Sequence, residues 1–280
     1  MNIRVAVGAF YILLFGVFCW HKLRHRDFCD HDETHKTSLD IPASKEIEEA
    51  QPLQHLACIM DGNRRWAKER GMVPWYGHAE GVEAVRKVVQ FCIEKKIKYL
   101  SLYTFSLENF RRSQDENSYL FKLMVKEAEK GTAEFKKNGI RLRFIGDRSL
   151  FPEHLSPLLD QVEKETAHLD TLNVTFLFCY GGRQEIASAA KNIAHKVKLG
   201  QLKEEDITPE LVSQHLWTAD IPDPDLIIRT GSFSRLSNFL IYQAAYSELY
   251  VLDCLWPDLN KEHLQEAYDA FINCKRNFGT

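Results

Sequence analysis

Five short polar clusters hold most of the residues in this chain that could do chemistry. Asp61, Gly62, Asn63, Arg64 and Arg65 form the first, and Ser106, Glu108, Asn109, Arg111 and Arg112 the second. Gly146-Asp147-Arg148, Tyr180-Gly181-Gly182-Arg183 and Arg229-Thr230-Gly231 follow. A guanidinium is a planar fork of donors that matches phosphate oxygens two at a time. Arg65, Arg112, Arg229 and Arg235 are the candidates for that role. Gly62, Gly181, Gly182 and Gly231 would let backbone amides approach an anion. Asp61 offers a hard oxygen to Mg²⁺, which binds through one or two carboxylates plus substrate phosphates. Each signal is weak alone, since a lone arginine is ordinarily a salt-bridged surface residue and Asp-Gly-Asn a common turn. Their accumulation describes an anion-and-metal site. Trp75, Tyr76, Phe105, Phe110 and Phe239 lie near the same loops, as core packing or as walls for an apolar tail. Glu248, taken alone, reads as a surface acid.

Such residues need a scaffold, and the hydrophobic pattern supplies one. Apolar runs at Leu56 to Met60, Tyr99 to Phe105, Arg141 to Ile145, Val174 to Cys179, Leu226 to Ile228 and Leu249 to Leu252 read as strands. Between them Val82, Val85, Val89 and Ile93 repeat at helical spacing. Ser118 to Lys137 is helical and stopped by Asn138-Gly139, and Ile186 to Leu199 is stopped by Gly200. Thr208-Pro209 opens another helix, Ser237 to Ser247 reads as one ending at Glu248, and a last one closes the chain. Strands alternating with helices predict a single α/β domain, with a mainly parallel six-stranded sheet flanked by helices. In such sheets ligands bind beyond the carboxyl ends of the strands, where all five clusters fall.

Composition is ordinary for a folded domain, and the formal net charge of −3 gives no support for a general nucleic-acid binder. Nucleotide-binding loops, dinucleotide fingerprints, zinc-protease and serine-hydrolase motifs do not occur in the sequence. Seven scattered cysteines without paired spacing indicate free thiols in a reducing, cytosol-facing environment. Residues 1–20 form an N-terminal apolar segment. Val5 to Trp20 has no charge and fits either a thin membrane anchor or a signal-peptide core. The lack of a small-x-small cleavage site favours retention. Lys22, Arg24 and Arg26 after it predict a membrane-anchored chain with its bulk facing the cytoplasm. Residues 21–54 read as a polar tether and 55–280 as the catalytic domain.

The stretches IMDGNRRWAKERG (59–71), GHAEG (77–81), LYTFSLENFRR (102–112), RLRFIGD (141–147), YGGRQEI (180–186), the run from Asp225 to Tyr250 and LWPDL (255–259) resemble the cis-prenyltransferases, the undecaprenyl diphosphate synthase family. The likeness covers the whole globular part. It implies a Mg²⁺-dependent homodimer that condenses isopentenyl diphosphate onto an allylic diphosphate, usually farnesyl diphosphate, to make a long cis-polyprenyl diphosphate. By position, Asp61 would bind Mg²⁺, and Gly62, Asn63, Arg64, Arg65, Trp66 and His78 would surround the allylic diphosphate. Phe105, Ser106, Glu108, Phe110 and Arg112 would shape the substrate site, with Asn109 the catalytic proton-relay partner. Arg229, Arg235 and Ser237 would hold the isopentenyl diphosphate, and Glu248 would be the second metal-binding acid, reaching across the dimer interface. The chain departs from the family pattern RTGGExRxSNF at Ser232-Phe233-Ser234, with Phe233 in place of Glu. Pro74 stands where bacterial members often have Arg, Arg64 where they often have Gly, and Phe110 for a frequent Trp. The competing readings are a non-catalytic membrane subunit of such a complex and an unrelated phosphate hydrolase.

Overall fold

The computed structural model describes residues 52–274. The apolar segment at 1–20, most of the tether and the last six residues of the expected domain lie outside them. Within the described residues, no helix is long and apolar enough to cross a membrane.

Six strands form one sheet: β1 (His55–Ile59), β2 (Tyr99–Ser106), β3 (Ile140–Ile145), β4 (Leu172–Tyr180), β5 (Leu226–Thr230) and β6 (Glu248–Leu252). Their order is β3-β4-β2-β1-β5-β6, and all five pairings are parallel. Helices make the crossovers: α1 (Asn63–Glu69), α2 (Gly77–Glu94), α3 (Gln114–Lys137), α4 (Ser156–Thr166), α5 (Gly182–Lys198), α6 (Pro209–His215) and α7 (Lys261–Asn273). Parallel neighbours require such crossovers, and covering both faces makes the inner strands apolar throughout. β1 and β5 are buried at every residue. One core cluster, including Leu100, Leu102 and Phe178, lies on the α2, α4 and α7 side. A second, smaller one on the other face includes Ile227, Phe239 and Leu240.

The domain begins earlier than its polar sequence suggests. Leu53 is 3% exposed, and the Gln54 carbonyl accepts from the Lys98 and Tyr99 amides. The Asp225 carboxylate also accepts from the Gln54 and His55 amides. The residues just before β1 therefore belong to the sheet edge and not to a tether.

Three helical expectations need correction. Asn63–Glu69 is a helix where the residues read as a turn: Gly62, at φ 108°, sits in the left-handed region and starts it. α4 was not expected, although Leu155, Leu159 and Val162 give it a buried stripe at helical spacing. The predicted helix from Ser237 to Ser247 is absent. That stretch is irregular up to a single 3₁₀ turn at Gln243–Tyr246, with Ser237, Asn238 and Leu240 at positive φ. Glu248 accordingly opens β6 and does not close a helix.

Candidate active site

β1 ends in Asp61, whose backbone is pinned before its side chain does anything. Its carbonyl accepts from the Thr230 hydroxyl at 2.7 Å and from the Trp256 amide at 3.0 Å. The carboxylate receives the Arg229 guanidinium at 2.8 Å on one oxygen, and Arg65 lies 3.6 Å from the other. Arg229 is 4% exposed and reaches across from β5, the neighbouring strand, where Ile59 and Arg229 share a register position. It also donates to the Ser237 hydroxyl at 2.8 Å and to the Arg235 carbonyl. These two bonds draw the loop after β5 inward.

That loop needs unusual backbone. Gly231 (φ 85°) and Ser232 (φ 66°) are both left-handed. A Cβ at Gly231 would strike the Arg65 guanidinium, which donates to the Gly231 carbonyl at 2.9 Å. Beyond the turn, the Arg235 guanidinium lies 4.2 Å from the centre of the Phe233 ring, with Arg65 at 5.2 Å and Arg229 at 5.9 Å. Asn238 then ties the loop to α5. Its carbonyl accepts from Gly182 and its side-chain oxygen from the Arg183 amide, while its amide nitrogen donates to Glu108 at 3.0 Å.

The other half of the site is built around a residue that sequence reading missed. Glu116 lies in the first turn of α3, and its side chain is 2% exposed. Around its carboxylate stand Arg112 at 3.2 Å, Arg64 at 3.7 Å and His78 at 3.7 Å. Burial alone would raise the Glu116 pKa, but the Arg112 and Arg64 guanidinium groups outweigh it and hold the carboxyl below its usual range. Burial dominates at His78 and lowers its pKa, so the ring is neutral at pH 7. At 3.7 Å the His78–Glu116 pair is too long for a direct hydrogen bond, so His78 Nε2 is buried without a hydrogen-bond partner, whereas Glu116 Oε1 has the Arg112 guanidinium 3.2 Å away as its ion partner. Asn63 Oδ1, also partnerless, faces the helix that carries His78, next to Gly81. Buried polar atoms of this kind are rare unless a ligand or water completes them. The signal for Glu116 was available: it stands four residues after Arg112 and a helical turn from the start of α3.

An apolar cavity of about 200 Å³ opens from this half. Asn63, His78 and Arg112 stand at its polar end; Val82, Val85 and Leu123 are on its walls, and Phe135, Phe144 and Phe176 lie further along the chain's apolar layer. The Val82/Val85 stripe that marks α2 in the sequence thus lines a cavity instead of filling the core. A second, more open cleft contains Asp61, Glu108, Arg229 and Ser237, and shares Met60, Tyr103, Asn109 and Arg112 with the first.

The structure brings together Asp61, Asn63, Arg65, His78, Asn109, Arg112, Arg229, Arg235 and Ser237 around these two spaces. Phe105 is buried against Phe110 at 5.0 Å on the cavity wall, and the Ser106 amide donates to Asn109 Oδ1 at 3.2 Å. Gly62 is where α1 must pass Leu255, since a Cβ would come within 2.9 Å of that side chain. Trp66 is different: its indole donates to Asp258 at 2.7 Å, and Arg70 stacks on it at 4.1 Å while pairing with Asp258. Those two residues form a patch of their own. Glu248 lies at the amino end of β6, opposite Leu226, three residues before Arg229 in register. Within one chain it is at the far end of the strand from Asp61.

The family model described as "Putative undecaprenyl diphosphate synthase" matches residues 59–279, which hold every residue placed above. The chain belongs to that prenyltransferase family. It is 42% identical over 226 residues to the ditrans,polycis-undecaprenyl-diphosphate synthase ((2E,6E)-farnesyl-diphosphate specific) of Xylella fastidiosa (strain 9a5c), covering 81% of this chain and 89% of that one. An isoprenyl transferase of Geobacillus kaustophilus is 42% identical over 241 residues, covering 86% and 94%. Among solved structures, lavandulyl diphosphate synthase from Lavandula x intermedia in complex with dimethylallyl diphosphate superposes with a TM-score of 0.79 at 32% identity, covering 82% of this chain and 99% of that one. A probable undecaprenyl diphosphate synthase from Campylobacter jejuni gives 0.69 at 36% identity, covering 81% and 99%.

Proposed function

We propose that this prenyltransferase extends an allylic diphosphate, farnesyl diphosphate being the expected primer, with isopentenyl diphosphate to form a long cis-polyprenyl diphosphate of the undecaprenyl type. The observation that carries the reading is the joining of two spaces through Asn109 and Arg112: a charged cleft and a cavity lined by phenylalanines. A diphosphate held in the first leaves an apolar chain nowhere favourable to go but the second.

The roles follow from position. Arg65, Arg112 and the amides at the start of α1 neutralise the leaving allylic diphosphate as its C–O bond breaks. Arg229, Arg235 and Ser237 hold the isopentenyl diphosphate so that its double bond meets the allylic carbon. A proton then leaves the new chain for the released diphosphate, the basic group at hand, with Asn63, whose Oδ1 is unpartnered, and Asn109 lining its path as hydrogen-bonding groups. Asp61 fits a Mg²⁺ ligand: it is one carboxylate at the cleft mouth, with one oxygen bonded to Arg229 and the other 3.6 Å from Arg65. Bound there, Mg²⁺ would supply charge for the departing diphosphate. No group of three acidic, His or Cys ligands occurs among the described residues.

We further assign the active form as a homodimer, with Glu248 serving the metal site of the partner. Support comes from the exposed apolar side chains Ile241 and Leu249, on and just before the edge strand β6. The apolar run at 5–20 and the basic residues after it support membrane anchoring with the catalytic domain on the cytoplasmic side, where a lipid product is delivered to the bilayer.

The test is incubation of the purified chain with farnesyl diphosphate, labelled isopentenyl diphosphate and Mg²⁺, followed by chromatography of the products. Labelled prenyl chains many units long are expected. Free phosphate without elongation would identify a hydrolase; incorporation only on adding a second subunit would identify the non-catalytic alternative.

A further inference from the structure

We propose that Phe233 is a positioning residue for isopentenyl diphosphate, holding the Arg235 guanidinium by its ring face, beside Arg65 and Arg229, so that Arg235 keeps its full charge for the substrate. This rests on the prenyl-transfer reading of the cleft. The ring centre lies 4.2 Å from Arg235, 5.2 Å from Arg65 and 5.9 Å from Arg229, all within the range in which a cation is attracted to an aromatic face. Among the described residues no carboxylate lies within 4.0 Å of Arg235, so the ring is its main restraint. Arg235 and Phe233 are both exposed, Phe233 at 40%, and an arginine in water would otherwise sample many rotamers.

The way a guanidinium is held decides what it can still do. A carboxylate occupies its N–H edge and cancels its charge, whereas a ring occupies only its face and leaves all five donors directed outward. The turn at Gly231-Ser232 is left-handed, and Phe233 follows it with its ring nearest Arg235 and farthest from Arg229, the arginine bonded to Asp61. With Asp61 the sole acid bonded to this group, the subsite retains a net positive charge suited to a diphosphate. The phenylalanine stands where the family pattern has Glu, so this chain carries no carboxylate at that position.

Three variants and two readouts test it. Phe233→Leu keeps an apolar side chain but loses the ring; it should raise the KM for isopentenyl diphosphate about fivefold, with kcat and the allylic KM changed less than about twofold. Phe233→Trp should restore the wild-type KM. Phe233→Glu should raise the same KM at least as much as Leu. Calorimetric titration with inorganic pyrophosphate, without Mg²⁺, should show the same order of affinities and needs no turnover. Wild-type constants for Phe233→Leu, equal changes in both KM values and kcat, or a Phe233→Glu variant as good as wild type would each overturn the proposal. A wild-type chain that binds pyrophosphate through the ring yet never incorporates isopentenyl diphosphate would instead defeat the prenyl-transfer reading alone.

Discussion

The two halves of the cleft both hold arginines, by opposite means. Around Glu116, Arg64 and Arg112 converge with His78 on a carboxylate whose side chain is 2% exposed, on the first turn of a helix. Around Phe233, Arg65, Arg229 and Arg235 share the face of a ring on an irregular loop. The first arrangement is rigid and partly self-neutralised; its charges are oriented by one another. The second is charge-rich and depends on backbone strain at Gly231 and Ser232 for its shape. The halves would thus contribute differently: one fixes geometry at the mouth of the apolar cavity, the other supplies unspent charge beside Asp61.

The comparison can be strained at several points. Asp61 is the acid against which the ring-held cluster is balanced. Asp61→Ala should lower kcat roughly a thousandfold, with far-UV circular dichroism unchanged; near-normal turnover in excess Mg²⁺ would sink its assigned role. Glu116→Ala would leave buried cations facing each other and should destabilise the chain by about 3 kcal/mol in urea unfolding. Glu116→Gln should lose less, and an Ala variant as stable as wild type would show that the first cluster is not held by its carboxylate. At the opposite end of β1, His55 shows a third way to bury polarity, as a neutral ring. Its Nδ1 donates to the Pro222 carbonyl at 2.6 Å and its Nε2 accepts from Ser101 at 2.9 Å, while burial pushes its pKa down to about 4. The unfolded chain binds this proton near 6.5 and the folded chain only near 4. This contribution to stability is therefore complete above about pH 6.5 and lost as the pH falls toward 4. Between pH 7 and 5 the loss should be about 2 kcal/mol and smaller in His55→Gln; equal acid sensitivity of the two proteins would contradict the assignment. The smallest effect is expected at Arg70, which the structure commits to Trp66 and Asp258. Arg70→Ala should change both KM values less than twofold, whereas Arg64→Ala, beside Glu116, should raise the allylic one.

Much of this was legible in the residues. The six strands, their alternation with helices and the clusters at strand ends all follow from local pattern, because apolar runs and their terminating glycines and arginines are neighbours in sequence. What was not legible depends on partners far along the chain. Leu236, Phe239, Leu240 and Ala244 have the spacing of a helix stripe, yet Arg229 bonds to the Arg235 carbonyl and Ser237 hydroxyl, and Gly182 and Arg183 bond to Asn238. Those bonds pull the backbone out of the helix that its own residues favour. Glu116 escaped notice for a related reason. An acid in the first turn of a helix is common at the surface, and its spacing from Arg112, though visible, does not announce that Arg64 and His78 will surround it. Arg70 and Trp66 show the converse: both sit inside the most specific motif, and Asp258 holds them together in a patch of their own.

The sheet order also bears on when this enzyme becomes an enzyme. Asp61 and Arg229 are 168 residues apart and meet because β5 pairs with β1, whose other flank is taken by β2, with β4 and β3 beyond it. Pairings of such sequence separation form late and slowly. During synthesis, the first half of the chain can lay down strands and the apolar cavity wall while it still lacks the cations opposite Asp61. Substrate would bind only to the closed sheet, and so would favour closure by mass action. A diphosphate ligand should therefore slow unfolding more than it speeds the early steps of refolding.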